Sequence, residues 1–284
     1  MIPQNFEYAA AASLDDALKQ VAAGAKPLAG GMSLIPMMKL RLAAPDRVVD
    51  IGRLKELNYI REAGGSIHIG AGATHYLVET SAVIRAKCPL LAETASHIGD
   101  VQVRNMGTIG GSVAHADPSA DYPAALQALE AKFVLKSASG ERTVSAADFF
   151  VDTFATLLEP EEIIREVVVP VEASGTGVSY QKMYQPASGF AVVGIAVRIA
   201  RSGGKISMAR IGVTGLSGSS YRAADAERAL EGKAGSATEI QHAAALVTQG
   251  VEANSDLHAS ADYRKHLAVV YASRAIAAAI SRSA

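Results

Sequence analysis

Apolar positions along the chain recur at two periods, and each change of period predicts an element boundary. Leu14, Ala17, Leu18 and Val21 fall on one helical face behind Ser13, a capping residue, with Asp15 and Asp16 in the first turn and Gly24 at the end. Short apolar runs on either side read as strands at Phe6–Tyr8, Lys26–Ala29 and Arg47–Ile51. A second helical pattern covers Leu34–Leu42 and stops before Pro45. The first fifty residues therefore predict a β-α-β-α-β unit.

Beyond it, Tyr59–Glu62 and Ser66–Ala71 flank Gly64-Gly65 as a hairpin. Thr74 opens a helix carrying Leu77, Val78 and Val83, and Leu90–Gly99 reads as another. Pro123–Leu129 is helical, Lys132–Ser137 and Glu141–Ser145 form a hairpin, and Glu159–Glu162 turns into a strand at Ile163–Val169. Composition shifts at Pro170–Gly177. After it, Val178–Met183, Ala191–Ala200 and Ser207–Thr214 predict an antiparallel sheet with a turn at Gly203-Gly204, and from Ala223 onward the pattern is helical, ending in the amphipathic Tyr263–Ser281. The class is α+β, and 284 residues imply two or three domains.

Charge narrows the partners. A net charge of −1 gives no basic field for nucleic acid or an anionic membrane. The single Cys88 excludes an internal disulfide and any all-Cys metal or iron–sulfur site, which points to a reducing cytoplasm. No signal peptide and no transmembrane segment are read.

The candidate chemistry lies in two glycine pairs, Leu28-Ala29-Gly30-Gly31-Met32-Ser33-Leu34 and Gly107-Thr108-Ile109-Gly110-Gly111-Ser112. Glycines that turn the backbone can present successive N–H groups to an anion, and Ser33, Thr108 and Ser112 add hydroxyls. Asp117 and Asp121 follow; carboxylates repel phosphate but suit sugar hydroxyls. The plainer reading is two glycine turns and aspartates that cap a helix at Pro123. No P-loop is present, and Gly70-Ala71-Gly72-Ala73-Thr74-His75 fails the dinucleotide fingerprint at its last position.

At these residues the chain resembles the FAD-binding medium subunits of molybdenum hydroxylases, of the carbon monoxide dehydrogenase medium-chain type. The likeness runs from Met1-Ile2-Pro3 through Ala29–Pro36, Arg104–Gly111, Asp117-Pro118, Asp121-Tyr122-Pro123 and Pro160–Ile164, in the family's order. It implies a FAD-binding domain over 1–172, with subdomains at about 1–56 and 57–172, and a C-terminal domain over 173–284 of antiparallel sheet plus helices. It implies FAD contacts along Leu28–Leu34, with the diphosphate on Ala29 to Ser33 and on Thr108 to Gly111. It further implies Asp121 on the adenosine ribose, Ser112 and His115 lining the FAD, Ile164 and Lys182 near the ring system, and Phe190 where some relatives place a tyrosine over the flavin. Met32, Ser112, Gly189 and Phe190 depart from the His, Asn, Asp and Tyr of various relatives, and the last two bear on the choice of electron acceptor.

The resemblance implies an electron-transfer subunit without catalytic residues or metal ligands of its own. Its partners would be a small [2Fe-2S] subunit and a large molybdenum-cofactor subunit, in a dimer of heterotrimers, with quinone, NAD or oxygen as acceptor. A stand-alone flavin oxidoreductase and a flavin-free scaffold are the competing functions. Lys182 reads either as a stabiliser of reduced flavin or as a lysine at a strand edge. Cys88 and Pro36–Leu40 read as core, His242, His258 and His266 as solvated, and Glu159, Glu161 and Glu162 as a solvated turn. Arg104 and Asn105 face the iron–sulfur partner or belong to an ordinary loop.

Overall fold

The computed structural model describes residues 1–284. Its N-terminal unit is a three-stranded parallel sheet of β1 (Glu7–Ala10), β2 (Lys26–Leu28) and β3 (Arg47–Asp50) in the order β1-β3-β2. Helix α1 (Leu14–Ala22) crosses between the first two strands. Ser13 caps it by accepting from the Asp16 N–H, and Leu14, Ala17, Leu18 and Val21 are the buried face. Helix α2 (Leu34–Lys39) ends earlier than the sequence pattern predicts, because Arg41 turns to φ 60°. Ile51, Leu54, Leu57 and the distant Ile163 close this small core.

The second unit is a five-stranded antiparallel sheet. It comprises β4 (Ile60–Ala63), β5 (Ser66–Gly70), β6 (Lys132–Lys136) and β7 (Glu141–Ser145), with the later strand β10 at its centre, in the order β4-β5-β10-β6-β7. Six helices lie between β5 and β6: α3 (His75–Thr80), α4 (Ala82–Lys87), α5 (Pro89–Ser96), α6 (Val101–Met106), α7 (Ile109–His115) and α8 (Tyr122–Ala128). The single helix expected after Thr74 is two, because the Ser81 side chain caps a fresh start by accepting from the Ile84 N–H. The second glycine pair is not a turn: Gly110 and Gly111 lie in the first turn of α7, behind the Thr108 cap. A short helix α9 (Ala146–Phe149) and a small hairpin of β8 (Phe150–Asp152) and β9 (Ala155–Thr156) lead to β10 (Ile163–Pro170).

The third unit is a meander of β11 (Gly177–Tyr184), β12 (Ala191–Ser202), β13 (Lys205–Thr214) and β14 (Tyr221–Arg222). It is covered by α10 (Ala224–Leu230), α11 (Ala237–Leu246) and α12 (Ala261–Arg282). Every residue of α8 is buried. That helix lies directly on β13, where a Cβ on Gly212 would stand 1.9 Å from the Ala124 carbonyl oxygen. Two further ties cross this boundary. Arg198 on β12 donates to both carboxylate oxygens of Glu172, at 2.7 and 2.9 Å, and to the Ala128 carbonyl at 2.9 Å. The Gln127 amide donates to the Ala146 and Ser220 carbonyls. No helix is long and apolar enough to cross a membrane, and no group of His, Cys, Asp or Glu side chains is placed to hold a metal ion.

Two consequences for stability can be checked by urea unfolding. Glu172→Ala strands the buried Arg198 guanidinium, with an expected cost of about 3–5 kcal/mol and a lower midpoint at unchanged slope. The second concerns His75, whose ring lies edge-on to Tyr122 at 5.3 Å. Burial, with a smaller push from the Arg104 charge, lowers its pKa from 6.5 to about 4. The folded chain thus prefers the neutral ring. This contribution is whole above the unfolded value of 6.5 and is lost as pH falls towards about 4. In His75→Phe a slope of about 1.4 kcal/mol per pH unit should vanish from that window, as measured by unfolding at several pH values within it.

Candidate cofactor site

A cavity of about 490 Å³ opens where the N-terminal sheet, α7 and the turn between β11 and β12 converge. Its geometry begins with the first glycine loop. Gly31 sits at φ +72°, and Gly30 touches backbone: a Cβ there would stand 2.0 Å from the Met106 carbonyl oxygen and 2.8 Å from the Gly107 Cα. The Gly31 and Ser33 carbonyls accept from the Ile35 and Met37 N–H groups, but the five consecutive N–H groups from Gly30 to Leu34 have no protein acceptor. All five residues line the cavity, together with Leu28 and Ala29.

The second glycine motif differs from the expectation of a matching cradle. An isolated antiparallel bridge joins Thr108 to Thr74, and of the motif's donors from Thr108 to Ser112 only the Thr108 N–H is without a protein acceptor. Ile109 and Gly110 donate to the Ala73 and Ala71 carbonyls, both at 2.9 Å, Gly111 donates to the Thr108 hydroxyl, and Ser112 donates to the Thr108 carbonyl. Gly110 is needed for contact with Ala71, where a Cβ would come within 2.4 Å of the Ala71 Cβ. Thr108, Gly110, Gly111 and Ser112 reach the cavity, whereas Ile109 points into the core and is fully buried. What this motif offers a ligand is the single Thr108 N–H, hydroxyls and a smooth wall.

Three carboxylates line the cavity, each differently engaged. Asp117 accepts the Ser119 N–H on one oxygen. Asp121 is 5% exposed and does not cap α8; it accepts from the Tyr180 hydroxyl at 2.6 Å and from the Lys182 ammonium at 2.9 Å. Burial raises its pKa, against the opposing pull of Lys182. Glu162, expected in a solvated turn, is instead buried against Arg142, whose guanidinium bonds hold its carboxyl below the usual range. Lys26 is the one lysine or arginine on the wall.

The apolar part of the wall comes from Leu57, Ile163, Ile164, Phe154 and Phe190. Phe190 is 45% exposed. Phe154, at φ 55° in the small hairpin, lies 5.0 Å from the His115 ring, and burial lowers the His115 pKa. The sequence reading missed Phe154, His75, Ile163 and Glu162, since only the long-range path of β8 to β10 brings all but His75 here. Lys182 is the reverse case: it does not line the cavity, and with a side chain 4% exposed it is no surface residue either. Arg104 pairs with Glu79 at 2.8 Å and donates to the Ile98 carbonyl, and Asn105 donates to the Val101 carbonyl, so both serve local structure.

This arrangement matches known proteins. The family described as the FAD binding domain in molybdopterin dehydrogenase matches residues 4–172, and the CO dehydrogenase flavoprotein C-terminal domain matches residues 178–279. The carbon monoxide dehydrogenase medium chain of Hydrogenophaga pseudoflava is 43% identical, with all of both chains covered. The glyceraldehyde dehydrogenase medium chain of Sulfolobus acidocaldarius is 37% identical over 97% of this chain and 98% of that one. A solved structure of carbon monoxide dehydrogenase from H. pseudoflava, lacking the Mo-pyranopterin moiety of its molybdenum cofactor, superposes with a TM-score of 0.97 and 44% identity, covering 100% of both chains. With a domain match over more than half its length and full-length relatives at this identity, the chain belongs to the family of FAD-binding medium subunits of molybdenum hydroxylases, of the carbon monoxide dehydrogenase type.

Proposed function

We propose that this chain carries FAD as the electron-transfer subunit of a molybdenum hydroxylase. It would take electrons from the [2Fe-2S] clusters of a small subunit, beside a large molybdenum subunit in a dimer of heterotrimers, and pass them to quinone, NAD or oxygen in the cytoplasm. The observation that carries the reading is the run of five unpartnered N–H groups from Gly30 to Leu34, facing a cavity with a single cation. Such a run suits a diphosphate held by backbone donors. The Gly30 cradle, which a Cβ would fill, suits the close approach of a bulky ligand to the peptide.

FAD supplies an isoalloxazine that accepts electrons singly and stores two. The chain's residues bind and orient it. The first loop takes the diphosphate, and the Thr108 and Ser112 hydroxyls supplement it. Asp117 and the remaining acceptor capacity of Asp121 take sugar hydroxyls. Ile164, Phe154 and Phe190 offer apolar walls that exclude water from the ring system. His115, held towards its neutral form by burial, adds no charge to the site. The two medium-chain relatives are named for carbon monoxide and glyceraldehyde yet align along the whole chain, which supports placing substrate choice in another polypeptide.

The purified chain should be yellow, with a two-band visible spectrum, and should release FAD on denaturation. Folded protein that takes up no flavin from excess FAD would overturn the reading. Gly30→Val should weaken FAD binding at least about tenfold, 1.4 kcal/mol, because backbone on the far side cannot yield. Gly140→Ala, where a Cβ meets nothing within 4 Å, should leave affinity unchanged in the same titration.

A further inference from the structure

Lys182 lies near the end of β11, just before the turn 185–190 that leads into β12. Its ammonium has three protons and three partners: the His97 carbonyl at 2.8 Å, the Gly189 carbonyl at 2.6 Å and the Asp121 carboxylate at 2.9 Å. No ammonium proton is left over for a ligand, and the side chain does not line the cavity, although its partners Asp121 and Gly189 do. The three partners belong to three separate pieces of chain. His97 follows α5, Asp121 precedes α8, and Gly189 is in the turn itself.

The turn is organised from within by Gln185, whose side-chain oxygen accepts from the Ala187 and Ser188 N–H groups at 2.6 and 2.8 Å. Across the boundary it meets the FAD-binding unit at Gly99, where Gly189 approaches so closely that a Cβ on it would lie 3.1 Å from the Gly99 Cα. Ser188, Gly189 and Phe190 all line the cavity, and Phe190 is the large apolar side chain of the three.

We propose that Lys182 is a positioning residue for the cofactor: through the Gly189 carbonyl it fixes the 185–190 turn and thereby sets how closely Phe190 covers the bound FAD. The proposal rests on the FAD reading above. The lysine suits the task because a compact ammonium on a flexible stem can satisfy two carbonyls and a carboxylate converging from different directions. Without it, the Gly189 carbonyl loses this donor, and the turn loses the tie that runs through the lysine to His97 and Asp121 across the boundary.

The test uses the full-length chain loaded with FAD. Its readouts are iodide quenching of the bound flavin and the rate of FAD release. Lys182→Met, Phe190→Ala and Gln185→Ala should each raise quenching several-fold and speed release. Lys182→Met/Phe190→Ala should add little to Phe190→Ala alone, since both changes act through one ring. Multiplicative effects of Lys182→Met and Phe190→Ala would overturn the proposal, as would wild-type quenching in Lys182→Met. If Lys182→Met does not fold, Gln185→Ala decides, and unchanged quenching there sinks the idea. FAD bound with equal quenching in every variant rejects this proposal alone, whereas a folded wild-type chain that takes up no FAD rejects the cofactor reading and this proposal with it.

Discussion

The site depends on one contact made by backbone alone, Gly30 against the Met106 carbonyl and Gly107. A side chain at either face would wedge the N-terminal sheet away from α6 and α7. Gly107 is itself pressed on the His75 ring, and Gly110 on Ala71, so the three glycines form one continuous seam. Close packing transmits any added volume along such a seam instead of absorbing it locally. The Gly30–Leu34 donors find no acceptor in the chain, although the loop is seated against the C-terminal end of α6.

Charge is handled behind the wall. Glu162 is balanced by Arg142 and Asp121 by Lys182 through short bonds, the second pair buried on both sides and the first only at its carboxylate. The ligand would therefore meet two neutralised carboxylates, Asp117 without a cationic partner, and fixed peptide dipoles in place of a cluster of mobile cations. Desolvation makes such pairs costly to form and costly to break, so they hold geometry more than they add stability. Both pairs also join segments far apart in the chain, which lets a charge pair set the shape of the cavity.

The elements visible in the sequence are those whose signals are local. Ser13 caps α1 and its four apolar positions are buried as the period requires. The glycine pairs at 64–65 and 203–204 turn the hairpins between β4 and β5 and between β12 and β13. Of the FAD contacts named by the resemblance, all but Ile109 and Lys182 lie on the cavity wall, though they make up less than half of its lining. What stayed hidden depends on distant partners. Glycine is a poor helix former, so the entry of Gly110 and Gly111 into α7 follows from the Thr108 cap and the contact with Ala71. The burial of Glu162 needs Arg142 on β7, and the enclosure of Lys182 needs carbonyls from both sides of a domain boundary. No short window of sequence carries such information.

Ile163 gives the N-terminal unit a debt to a later part of the chain. It belongs to the same apolar cluster as Leu14, Leu18, Ile51 and Leu57, yet it begins β10, the central strand of the next sheet. During synthesis the first parallel sheet leaves the ribosome with its core one side chain short. It stays so until six helices and the β6–β7 hairpin have followed. The first subdomain is thus completed by a side chain of the second, and the glycine loop it carries is seated on Met106 and Gly107, which also come later in the chain.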